Sequence, residues 1–241
     1  KRSSRFALPL AVAGAWVAAG STLLPLPISV VFGTLCVLAL PGLVIERLLH
    51  GTVAPDGIAS APARWVTLSV AVVALLGLVV SASGAGTHAL LLALAVASIA
   101  LASVRVGAAS TSGAGPSARA IDERDEWIAR SALVLVVVVA VVLAAVAPNV
   151  ARDRMWYLAF VTQLASGTPI DWSEPFLGTG AIAARFAYNG WLLALAAWSS
   201  LTGATPSVVF ERLAPVFLTL SAASAAWHFG RRAVPSAPGL A

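Results

Sequence analysis

The residues with the means to do chemistry gather between Ala147 and Trp191. An apolar run ends at Ala147, and the chain then reads Arg152-Asp153-Arg154-Met155-Trp156-Tyr157. Asp153 is a carboxylate that can serve as a general base, taking a proton from an acceptor hydroxyl. Arg152 and Arg154 flank it, and a guanidinium matches the oxygens of a phosphate. A plainer reading stands beside this one: an acid at a helix start suits the helix dipole, here between two interfacial arginines. Tyr157 follows one turn on, within hydrogen-bond reach of Asp153. Asp171 and Glu174 are three apart. Such a pair can hold a divalent cation or share acid–base work. As a helix cap, with Asp171 at the N-cap and Glu174 reaching back, it does neither, and the cap is the favoured reading. Gly178-Thr179-Gly180 lacks the lysine and following helix of a phosphate loop and reads as a turn. Trp156, Trp172 and Tyr188 add aromatic surface, and Arg185 adds a further cation. The stretch holds no histidine, no Ser-His-Asp arrangement and no metal-ligand spacing.

The rest of the chain must position this stretch, and its composition says in what solvent. Hydrophobic residues make up 59% and charged residues 10%, with a mean hydropathy of +0.92. A soluble domain carries roughly a quarter charged residues. So apolar a chain belongs in a bilayer. The net charge of +5 sits mostly between apolar segments, where cations anchor cytoplasmic ends and meet anionic lipid. No basic helix or aromatic platform argues for nucleic acid. The single cysteine, Cys36, excludes an intrachain disulfide. The abundance of Ala, Val and Gly suits a GC-rich bacterial genome, and with it the plasma (inner) membrane.

The expected fold is all-α, a polytopic transmembrane helical bundle. Four spans, over 6–24, 28–49, 65–83 and 88–104, form an N-terminal bundle within residues 1–105. The first reads as a retained span without a cleavage site, after a basic, cytoplasmic N-terminus. Pro41-Gly42 should kink the second. Glu46 and Arg47 at its inner end read as an interfacial ion pair. Residues 106–130 form a flexible tether and a charged pre-helix lying on the cytoplasmic surface. A second unit, 131–241, opens with an apolar span over 131–147. It carries the outer connection, 148–188, with an interfacial helix over 152–165 stopped by Gly167. Residues 188–201 are short for a crossing, and 208–229 are long enough.

A span ending outside, then Arg152-Asp153-Arg154-Met155-Trp156-Tyr157, a Gly-Thr-Pro turn, and Tyr188-Asn189-Gly190-Trp191 opening a short span resembles the first half of the GT-C superfamily. Those are membrane glycosyltransferases that use polyprenyl-phosphate sugars. The resemblance covers roughly residues 131–232 and implies Asp153 as the catalytic acid and Tyr188 as the aromatic opening the next span. Glu211-Arg212 is similar to an Arg-containing stretch in the span after that. It implies a polyprenyl-phosphate-sugar donor, a cell-envelope acceptor, and either the N-terminal part of a longer enzyme or a shorter relative. It also favours 188–201 as a tilted crossing, which makes about seven spans. The chain departs from the pattern where relatives often carry His, here Tyr157, and where they often carry a second acid, here Arg152 and Arg154. Two other readings stand against it. One is a non-catalytic membrane subunit that docks a partner through the outer connection. The other, weaker, is a small-solute transporter, which would call for a charged residue within a span.

Overall fold

The computed structural model describes residues 7–50, 58–104, 123–146, 154–167, 169–173, 175–176, 180, 182 and 188–233. Among these residues there is no strand, only isolated bridges pairing Gly86 with Pro169 and Ser173 with Ile182. Four helices are long and apolar enough to cross a membrane. The chain is therefore an all-α membrane bundle.

Helix α1 is Ala7–Ala19 and α2 is Leu26–His50. Within α2 a π turn occupies Leu35–Ala39. Pro41 has no N–H to return to the carbonyl four residues back, and the ladder shifts register just before it, with Leu40 N–H donating to Leu35 O. Helix α3 is Ala61–Ala82 and α4 is Thr87–Ser103. Gly42 N–H donates to Ser69 Oγ of α3 at 2.9 Å. A Cβ on Gly42 would strike the carbonyl of Trp65, so α2 and α3 touch backbone to backbone there.

Helix α5, Glu123–Val146, is one continuous helix. The charged stretch expected as a pre-helix forms, from Glu123 on, the first two turns of this helix, whose span-length apolar part is Trp127–Ala145. The tether before it lies outside the described residues. Helix α6 is Arg154–Ala165 and α7 is Gly190–Thr202. The last element, α8, runs through Pro206–Val208, a π turn at Val209–Leu213, and Ala214–Ala233.

Two ends of the bundle can be told apart. At one, here the arginine end, Glu46 of α2 accepts from Arg64 Nε and Trp65 Nε1 of α3, each at 2.6 Å. Arg47 Nη1 donates to the carbonyl of Ala102 on α4, 3.2 Å away. The expected Glu46–Arg47 pair is thus replaced: neighbours on a helix point about 100° apart, and each residue reaches a different helix. Ser224 of α8 reaches the same end. Its Oγ donates to Ala59 O at 2.9 Å and accepts from Ala63 N–H at 3.2 Å. The last turns of α8, with Arg231 and Arg232, therefore lie at the arginine end.

The opposite end carries the connection that holds the candidate site. Helix α7 belongs to this half. Its first residue, Gly190, lies against Val70 and Ala74, midway along α3. Its last turn meets Gly20, beyond the end of α1, and Gly33 in the outer part of α2. Thirteen residues rise only about 20 Å, against about 30 Å of hydrocarbon. The segment expected to make a tilted crossing enters to mid-depth and returns to the side it came from. It is also the most buried helix. Every side chain from Leu192 to Ser199 is buried, and Trp198 packs edge-on against Phe217 of α8. Helix α7 fills a core shared by the first four helices and the last.

Candidate functional site

The site forms where α6 lies across the connection end of the bundle. Val161 and Leu164, which share a stripe with Tyr157, are buried, as is Phe160. Tyr157 on the same stripe packs against the core. Met155 and Thr162, on the second stripe, are exposed. An interfacial helix half covered by protein is what the spacing predicts.

Both ends of α6 are tied. At its C-terminus, the hydroxyl of Thr87 at the start of α4 donates to Leu164 O, and Ser200 Oγ on α7 donates to Ala165 O at 2.9 Å. These hydroxyls satisfy carbonyls that have no partner within the helix. Gly167 follows with φ +76°, a left-handed stop that glycine takes without strain, and the His88 ring lies against it. At the N-terminus, Arg154 pairs with Glu211 of α8. Oε1 of Glu211 accepts from Nε at 2.6 Å and from Nη2 at 2.5 Å. Tyr157 stacks on Phe210, with ring centroids 6.0 Å apart. The next residue, Arg212, donates from Nη1 to Ala145 O at 3.2 Å and Ala144 O at 3.4 Å, capping the end of α5.

An open cavity of about 450 Å³ runs between α5 and α8 and ends at this clasp. Leu135, Val139 and Leu143 form one wall; Pro215, Thr219 and Glu211 form the other. Its lining is apolar apart from Thr219, whose hydroxyl donates to Pro215 O, and Glu211, which holds Arg154. Glu211 joins Arg154 in a pair that the sequence reading, which named Glu211 only beside Arg212, did not foresee. The pairing joins residues 57 apart in the chain, and no local spacing signals it. A polar residue in a span-length helix was the available sign.

A second aromatic group lies in the descent to α7. Trp172 is buried and packs against Tyr188 with centroids 5.7 Å apart. Its indole N–H has no hydrogen-bond partner among the described residues. Tyr188 takes φ +59°, a left-handed backbone that a side chain disfavours. Asn189 then caps α7, its side-chain oxygen accepting from the N–H groups of Trp191 and Leu192. Trp156 meets Phe176 edge-on at 4.7 Å, both partly exposed.

Asp171 does not cap a helix. Its carboxylate accepts from the N–H of Ser173 at 2.8 Å and the Ser173 hydroxyl at 2.7 Å, a local turn with no helix following among the described residues. Glu174, its expected partner, lies outside the described residues, as do Asp153, Arg152 and Arg185. The structure thus brings Arg154 and Tyr157 to one clasp and Trp172 and Tyr188 to one aromatic pair, with Trp156 beside the first. No family model, curated protein or solved structure matches the chain.

Proposed function

We propose that the chain is a membrane glycosyltransferase, or the N-terminal part of one, moving a sugar from a polyprenyl phosphate to a cell-envelope acceptor. The observation that carries this reading is the largely apolar cavity between α5 and α8 with Glu211, the partner of a half-exposed arginine, in its wall. A prenyl chain suits the apolar walls, and its phosphate suits Arg154, with Arg152 and Arg185 as further cations. Asp153 adjoins Arg154 in the chain. As general base it takes the proton of the acceptor hydroxyl while that oxygen attacks the sugar carbon and the lipid phosphate departs. The arginines offset the negative charge left on the departing phosphate. Trp156 and Tyr188, both exposed, offer ring faces to the sugar, with Trp172 buried behind Tyr188.

In this reading the arginine end is cytoplasmic, at the inner membrane, by the preference of Lys and Arg for that side. Helices α1–α5 and α8 run between the two faces, and α7 enters and returns on the outer side, giving six passages and one re-entrant helix. The test of the chemistry is Asp153→Asn in proteoliposomes supplied with a labelled polyprenyl-phosphate sugar. Transfer should fall by about 10²–10⁴-fold while donor binding persists. Undiminished transfer removes Asp153 from the mechanism.

A further inference from the structure

Glu211 presents a puzzle for an anion site, because a carboxylate close to a bound phosphate repels it. Its geometry gives it another task. Phe210, Glu211 and Arg212 are consecutive on the π turn of α8, and each engages a different partner: Tyr157, Arg154 and the carbonyl end of α5. As Pro41 does in α2, Pro215 follows this turn and has no N–H to return to the carbonyl four residues back, so Ala214 N–H donates to Val209 O and the ladder shifts register here. The Glu211 side chain is only 10% exposed and spends one oxygen, Oε1, on two N–H groups of Arg154, those of Nε and Nη2. A guanidinium has five N–H donors in a fixed plane. Holding one edge of that plane therefore sets the direction of the other. The Arg154 side chain is 38% exposed, and among the described residues its contacts use only the Nε/Nη2 edge. The remaining edge meets no acceptor among the described residues, and Glu211, which holds the first edge, lines the cavity between α5 and α8.

We infer that Glu211 is a positioning residue: it fixes the guanidinium of Arg154 so that the free edge meets the phosphate of a lipid seated between α5 and α8. The inference rests on the proposed reaction for its ligand and goes beyond it in naming what aims the arginine. It makes a prediction opposite in sign to plain charge repulsion. Removing a nearby carboxylate should tighten anion binding if charge alone matters. It should weaken anion binding if the carboxylate orients the cation.

The test measures binding of a long-chain polyprenyl phosphate, and of the polyprenol of equal length, to the purified full chain in detergent by native mass spectrometry. Phosphatidylglycerol serves as a competing phosphate-headed lipid. The unaltered chain should prefer the polyprenyl phosphate over both. Glu211→Gln should cut the phosphate-over-alcohol preference about tenfold, the size of one charge-assisted hydrogen bond, and leave polyprenol binding unchanged. Arg154→Ala should do the same, and the double variant should do no more. An unchanged or raised preference in Glu211→Gln overturns the inference. If Glu211→Gln loses both ligands alike, the reversed pair Arg154→Glu with Glu211→Arg decides. Recovery of polyprenol binding without the phosphate preference upholds the positioning role, and any other result overturns it. An unaltered chain with no preference for polyprenyl phosphate over polyprenol or phosphatidylglycerol sinks the donor reading, and this inference with it. Loss of transfer in Asp153→Asn with binding intact bears on the chemistry alone.

Discussion

A carboxylate inside an apolar bundle needs a partner, and Glu46 and Glu211 each take an arginine from another helix. Glu46 is 1% exposed and satisfied on both oxygens, by Arg64 and by the Trp65 indole. Removing one member of such a pair strands the other, at a cost of about 3–5 kcal/mol. Glu46→Ala should therefore lower the midpoint of thermal unfolding in detergent well below that of the unaltered chain. Arg47→Ala, which loses one hydrogen bond to Ala102, should cost only about 1 kcal/mol. Equal shifts for the two would refute the pairing. The sequence showed both acids but not their partners. Glu46 stands beside Arg47 and pairs 18 residues away, and Arg154 stands beside Asp153 and pairs 57 residues away. Side-chain pairing in a bundle is decided by which helices meet, and adjacency along the chain does not report it.

At the scale of elements, periodicity served well where a helix has a wet side and a dry side. Helix α6 has a buried side and an exposed side, as suits an interfacial helix, and Gly167 ended it. Periodicity is silent where a helix is apolar all round, because lipid and protein core demand the same residues. The expected crossing by α7 came from the family resemblance, since its sequence is apolar throughout and short, and the first two turns of α5 read as a separate pre-helix because they are charged. Small residues mark the tightest helix contacts, and they differ in what they touch. An added Cβ at Gly42 meets the Trp65 backbone, which cannot swing aside, whereas one at Gly77 meets the flexible tip of Leu193. Gly42→Ala should cost about 1–3 kcal/mol, and Gly77→Ala clearly less. Comparable losses in the two unfolding curves would mean that α2 and α3 do not approach at Gly42 as closely as described.

For the whole molecule, the question is how the helices before residue 105 and those after residue 122 make one body. Helix α7 answers it by burying its entire middle among α2, α3, α4 and α8, so neither half has a complete core alone. A helix that enters and returns also sets the direction of everything after it. With α7 confined to one half, α8 starts at the connection end and finishes at the arginine end, where Ser224 bridges Ala59 and Ala63. A full crossing by α7 would have put Arg231 and Arg232 on the opposite side, against the usual distribution of cations. The two arrangements differ in one accessible observable. Cys36 is fully buried, so an introduced cysteine can report alone to a membrane-impermeant maleimide on intact cells. Ser83→Cys, exposed at the turn between α3 and α4, should react from outside on the proposed orientation. Ser103→Cys, exposed at the end of α4, and Arg232→Cys, on the last turn of α8, should react only after the membrane is opened. Labelling of Arg232→Cys together with Ser83→Cys would mean that α7 crosses, and the clasp between Arg154 and Glu211 would then need a different α8. Labelling of Ser103→Cys and Arg232→Cys from outside, with Ser83→Cys silent, would keep the fold and invert its orientation, moving the cavity mouth to the cytoplasmic face and excluding an acceptor delivered from the other side.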